Sequence, residues 1–134
     1  MSLYVTDTHP LQWYAAGRSR KLGKQARRAF EYAETGRAMI YVPVLVLVEL
    51  LEQARAGLLR LGESPTAWID DLLGLPGFAP VDLTHAVVMA GESLYTIPER
   101  TDRLIAATAL ELGVPLITRD AEIANVRGLQ TVWS

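Results

Sequence analysis

Leu3-Tyr4-Val5-Thr6-Asp7-Thr8-His9-Pro10-Leu11-Gln12-Trp13 reads as a strand that ends on an acid and passes within a few residues into a helix. Tyr, Val and Thr suit a pleated, half-buried surface. The helix, Leu11 to Ala16, is short, and Gly17 can close it. The same alternation continues along the chain. A second helix is expected from about Ser19 to Thr35, stopping at Gly36, followed by a strand at Met39-Ile40-Tyr41-Val42. Val44 to Leu51 suits either a buried strand or a helix by pattern alone. Helix is the better reading, because Pro43 fits a first helical position, Glu52 to Ala56 are helix formers and Gly57 can end the element.

Ser64-Pro65 starts a further helix through Trp68, Ile69, Leu72 and Leu73. Phe78 to Val81 is expected as a short edge strand, since Pro80 disfavours a central place. Thr84 to Tyr95 is helical, Thr101 is a candidate cap for a helix running to Leu112 and closed by Gly113, and Val114 to Thr118 and Gln130 to Trp133 read as strands. Short strands alternating with longer helices specify an α/β fold with a mainly parallel central sheet of about four to five strands. Residues 1–134 are expected to form a single domain, with no repeat or Gly/Ser/Pro-rich linker dividing them.

Half of the residues are hydrophobic and 21% charged, which excludes a disordered chain. No cysteine is present, so any metal must be held by oxygen or imidazole. The first strand follows Met1 too closely to leave room for a secretion signal, and the longest apolar run is too short for a membrane span and carries Glu49. A cytoplasmic location is the expectation. The net charge of −2 argues against coating nucleic acid by bulk electrostatics. Yet Arg18, Arg20, Lys21, Lys24, Arg27 and Arg28 supply six of the thirteen basic residues within eleven positions. On a continuous helix Arg20, Lys24 and Arg27 share a face, which is either a solvated surface or an RNA-phosphate contact.

Four acids stand in places that invite chemistry. Asp7 ends the first strand, and ligands gather outside the carboxyl ends of parallel strands. It can equally cap the next helix. Glu49 sits inside Val44 to Leu51, where an ionised carboxylate is costly unless paired or bound to a metal. The alternative is a narrow wet stripe with Glu52, Gln53 and Ala56. Asp102 opens a helix whose Ala106, Ala107 and Ala109 keep it slim enough to approach the sheet, although it also complements the helix dipole. Asp120 follows a strand as Asp7 does, with the Thr118 hydroxyl two residues earlier. Together these carboxylates would repel one another, raising a pKa or demanding a cation. Mg²⁺ or Mn²⁺ suits such donors and can activate water for attack on a phosphodiester. His9 and His85 are isolated, and His9 is expected to pack or hydrogen-bond near the entrance of the site.

The block from Leu3 to Trp13, and that from Thr101-Asp102-Arg103-Leu104-Ile105-Ala106-Ala107 through Leu116-Ile117-Thr118-Arg119-Asp120, resemble the two ends of PIN-domain proteins of the VapC-type toxin subgroup. The resemblance covers nearly the whole chain. It implies a divalent-metal-dependent endoribonuclease with Asp7, Glu49, Asp102 and Asp120 as the acidic, metal-holding cluster and Thr118 as its hydroxylic neighbour. It also implies RNA as substrate, a cognate antitoxin as partner and a homodimer. The middle block departs from the family pattern, with Val44, Val46 and Val48 where Ser or Thr is usual, so the assignment of Glu49 rests on the least. A catalytically inactive scaffold binding RNA or protein is a second reading. An Asp-dependent phosphotransfer domain is a third, and it fits poorly, because His9 stands where an Asp-x-Asp motif needs an acid and lysine occurs only at positions 21 and 24. Large side chains in the helices, Leu11, Trp13, Tyr14, Leu45, Leu50, Leu51, Trp68 and Leu72, are either core or an apolar groove for the antitoxin.

Overall fold

A computed structural model describes residues 1–134. The chain runs β1 (Ser2–Thr6), α1 (Thr8–Ala15), a 3-10 turn (Ser19–Lys21), α2 (Lys24–Glu34), β2 (Ala38–Pro43), α3 (Val44–Arg55), α4 (Pro65–Leu73), β3 (Phe78–Val81), α5 (His85–Glu92), α6 (Arg100–Leu112), β4 (Leu116–Ile117), α7 (Ala121–Ala124) and β5 (Thr131–Val132). All five strands are parallel, in the order β3-β2-β1-β4-β5. From β1 the chain steps outward through β2 to β3, then crosses back to lay β4 and β5 on the other side. The strand order therefore reverses between β1 and β4. This is the position at which a parallel sheet opens a crevice at the carboxyl ends of its strands.

Val5, Ile40, Val42, Leu116 and Ile117 carry the sheet into a buried cluster of 21 hydrophobic residues. Phe30 of α2 lies fully inside, with the Tyr14 ring stacked on it at 4.8 Å. Ala106, Ala107 and Ala109 of α6 have no exposed surface, as the slim helix requires, and α6 packs on β1. The segment from Val44 is helical: Val46 and Leu50, one turn apart, are fully buried, whereas Val48 is 52% exposed. The wet stripe of α3 runs through Val48, Glu52 and Arg55, and Glu49 lies half-buried beside it. No helix is long and apolar enough to cross a membrane.

Three local expectations need correction. The helix from Ser19 to Thr35 is broken: a 3-10 turn ends at Leu22 and α2 begins after Gly23. Gly23 approaches the end of the sheet so closely that a Cβ there would lie 2.2 Å from the Trp133 carbonyl oxygen, and the N–H of Ala26 donates to that oxygen at 3.1 Å. Arg20 therefore lies outside the helix of Lys24 and Arg27, and the three do not share a helical face. Pro43 is the last residue of β2 rather than the first of α3. Glu99, not Thr101, caps α6, its side chain accepting the Asp102 N–H at 2.8 Å.

Candidate metal and phosphodiester site

Parallel pairing of β1 with β4 brings the two strand-end acids to one end of the sheet. Val5 pairs with Leu116 and Thr6 with Ile117, so Asp7 and Thr118 leave their strands side by side. The Asp7 carboxylate accepts from the Thr118 hydroxyl at 2.8 Å and from the Thr8 N–H at 2.8 Å. Asp7 thus caps α1 and faces the crevice at once, and the two sequence readings of it coincide. Thr118 Oγ1 also accepts the Asp120 N–H at 3.1 Å. Asp120 in turn caps α7, accepting from the N–H groups of Glu122 and Ile123. One buried hydroxyl therefore ties the Asp7 carboxylate to the Asp120 backbone just beyond the ends of two adjacent strands.

These acids line a cavity of about 220 Å³ whose walls are Asp7, His9, Pro10, Asp102, Arg119 and Asp120. Asp102 enters from the first turn of α6. Glu49 does not line the cavity; it is tied to its edge by a hydrogen bond from the Thr8 hydroxyl. Arg20, Lys24 and Arg27 are exposed and line no part of it. His9 is exposed at the cavity mouth, its ring tilted against Trp13 with centroids 5.8 Å apart.

Burial and crowding both act against ionisation here. Burial pushes the Asp7 carboxyl up from its ordinary value, against the lowering effects of the Thr118 and Thr8 hydrogen bonds and of nearby His9. Asp102 is pushed up to about 7, first by desolvation and then by the negative charges of Asp7, Glu99, Asp120 and Glu49. The other three acids expected from the sequence are therefore all electrostatically within reach of Asp102. Glu99 is a fifth that was not expected, and its signal was present in Glu99-Arg100-Thr101-Asp102, the three-residue interval of a side chain capping the first turn of a helix. Thr8, which holds Glu49, was also missed.

The donors are all oxygen, which fits a hard divalent cation. No three of the Asp, Glu and His side chains stand close enough together to enclose an ion by themselves. A Mg²⁺-like ion fits that arrangement, because it commonly retains several waters and takes only one or two protein carboxylates. Asp7, Asp102 and Asp120 line the cavity and could each supply a carboxylate to such an ion, directly or through its waters, with Glu49 at the edge.

A second concavity, of about 420 Å³, lies between α1, α2 and α4 and is lined by Tyr14, Trp68, Leu72, Glu34, Glu63 and Asp71 among others. Tyr14 donates its hydroxyl hydrogen bond to Glu34. Of the large side chains noted in the sequence, Leu11, Leu50 and Leu72 are buried, while Trp13, Tyr14, Leu45, Leu51 and Trp68 are half-buried.

The fold is shared with known structures. VapBC2 from Rickettsia felis, in a crystal structure bound to a DNA fragment from its promoter, superposes with a TM-score of 0.74 at 18% identity, covering 98% of this chain and 99% of that one. DNA-bound VapBC from Salmonella typhimurium gives a TM-score of 0.68 at 16% identity, with 98% of each chain covered. A toxin-antitoxin complex from Klebsiella pneumoniae gives 0.66 at 19% identity, covering 98% of this chain and 96% of the other. No curated protein matches the sequence. The family model for the PIN domain does match, over residues 4–129. That match runs from within the first strand to the turn before the last and takes in every acid around the cavity, so the chain belongs to the PIN domain family.

Proposed function

We propose that this protein is a divalent-metal-dependent endoribonuclease of the cytoplasm, the VapC-type toxin of a toxin–antitoxin pair. The observation that carries the reading is the gathering of Asp7, Asp102 and Asp120 around one small cavity at the strand-order reversal, where desolvation and then mutual repulsion push the Asp102 carboxyl up to about 7. Such crowding stabilises neither the fold nor the carboxylates, and a bound cation relieves it. When present, Mg²⁺ or Mn²⁺ supplies Lewis acidity toward a phosphodiester and lowers the pKa of an attacking water. The chain's own part is to orient: Thr118 fixes Asp7, Glu99 fixes the first turn of α6, and Thr8 fixes Glu49.

The test is a Mn²⁺ titration followed by thermal unfolding of the wild type and of Asp7→Asn. The ion should raise the melting temperature of the first and much less that of the second. Asp7→Asn and Asp102→Asn should both lose RNA cleavage while remaining folded. Cleavage by either variant at the wild-type rate would remove it from the mechanism, and absence of any metal-linked stabilisation would favour the inactive scaffold.

An antitoxin is the proposed regulator, and the cleft between α1, α2 and α4 is its proposed seat. That cleft joins the half-buried Tyr14 and Trp68 to Glu34, Glu63 and Asp71, with no basic residue in its lining, so it suits an amphipathic segment carrying Lys or Arg. Co-expression with the product of an adjacent small reading frame tests this. A product that neither binds nor inhibits is not the antitoxin.

A further inference from the structure

The acidic cavity has one Lys or Arg in its lining, Arg119, and that residue is unpaired. It directly precedes Asp120 and shares the cavity wall with Asp7 and Asp102. Nevertheless the only ion pair within 4.0 Å in the whole protein is between Arg55 and Glu52, both exposed on α3 and neither lining the cavity. The Arg119 guanidinium lies instead over the Trp13 ring, 4.8 Å from its centroid. The indole face attracts a cation and so competes with the neighbouring carboxylates. Trp13 is itself held from behind, with the Trp133 ring edge-on at 5.9 Å. Lys21 approaches the same indole, its Nζ 5.6 Å from the centroid.

We propose that Arg119, kept off the carboxylates by Trp13, is the phosphate-binding residue that seats an RNA strand at the mouth of the acidic cavity. This rests on the nuclease reading and names how that site takes its substrate. Three carboxylates repel a phosphodiester, and a metal ion offsets that repulsion only at the reacting group. A strand needs a further cation beside it. A guanidinium locked onto Asp120 would already be neutralised, whereas one resting on an indole keeps its fork of donors for phosphate oxygens. The cavity is about 220 Å³ and, apart from Pro10, is lined by acids, Arg119 and His9, so it suits a phosphate and an ion rather than a stacked base. Bases are left outside, where exposed His9 and the Trp13–Arg119 stack offer planar surfaces to an unpaired strand. Arg20, Lys24 and Arg27, which sequence alone nominated for RNA, have no such place at the rim.

The experiment measures binding of a fluorescein-labelled single-stranded RNA by anisotropy in EDTA across a KCl series, together with KM and kcat for its cleavage in Mn²⁺. Arg119→Ala should weaken binding about tenfold and reduce the salt slope by about one. KM should rise, and the Mn²⁺-induced rise in melting temperature should stay as in the wild type. Arg119→Lys should recover the slope but not the full affinity, because an ammonium cannot fork. Trp13→Leu should weaken binding as Arg119→Ala does, and the double variant should be no worse than either. Should Trp13→Leu fail to fold, the exposed Arg119 variants decide alone. A wild type that cuts RNA while Arg119→Ala keeps its affinity, slope and KM overturns this inference and spares the nuclease. A wild type that neither binds nor cuts RNA overturns both.

Discussion

Burial raises the carboxyls of both Asp7 and Asp102, but only at Asp7 do hydrogen bonds that favour the charge oppose the rise. Thr118→Val keeps shape but deletes the hydroxyl that donates to the Asp7 carboxylate. We expect a loss of about 1–3 kcal/mol in urea denaturation, larger at pH 8 than at pH 4, because the missing bond favoured the ionised form. For Asp102 the folded value, about 7, lies above the ordinary 3.8. Its contribution to stability is full below pH 3.8 and is lost as pH rises through 7. Asp102→Asn should therefore stabilise the metal-free protein at pH 8 by about 1–2 kcal/mol, after allowance for solvent screening of a half-exposed group, and have little effect near pH 4. Equal stability of the two proteins at pH 8 would contradict the crowding. Asp7, Asp102 and Asp120 were legible in the sequence because each stands beside a strand end or helix start, which local patterning marks. Arg119 was not, since its role depends on Trp13, a partner remote in the chain.

At the scale of elements, the misread ones share a cause: a tertiary contact overrode a local preference. Ser19 to Thr35 has a helical composition, but the chain must pass the Trp133 carbonyl, and only a residue without Cβ can do so at Gly23. Gly23→Ala is expected to cost about 1–3 kcal/mol by overpacking against backbone. Its effect should appear in urea denaturation and as a shift in Trp fluorescence, since Trp133 must move. An unchanged midpoint would show that the C-terminal strand yields freely. α7 went unread because four residues carry no period, and only the Asp120 cap betrays it. By contrast Ser64-Pro65, Gly36, Gly57 and Gly113 mark helix ends where expected, because capping is local chemistry.

For the whole molecule, the α/β class and the parallel sheet were readable from alternation alone, whereas the strand order was not, since β4 inserting beside β1 leaves no local trace. Surface apolar residues are a second matter that patterning hid. Leu83, Val88, Met89 and Tyr95 are exposed on and around α5, Tyr95 by 81%. We propose that the homodimer implied by the family resemblance forms through these exposed side chains. Met89→Glu, exposed and outside the acidic cavity, should shift sedimentation toward the monomer while leaving the melting temperature of dilute protein unchanged. An unaltered dimer would move the contact elsewhere. The parallel order has one more consequence, which concerns synthesis. Asp7 is made early, but the hydroxyl that positions it belongs to Thr118, 111 residues later. β1, β2 and β3 can pair as they emerge, yet the β1–β4 crevice closes only after residue 118 has been translated, and nearby residues of the chain fold before distant ones. The acidic cavity is thus incomplete until Thr118 has emerged, so under the proposed nuclease reading the growing chain is inert toward RNA for most of its synthesis.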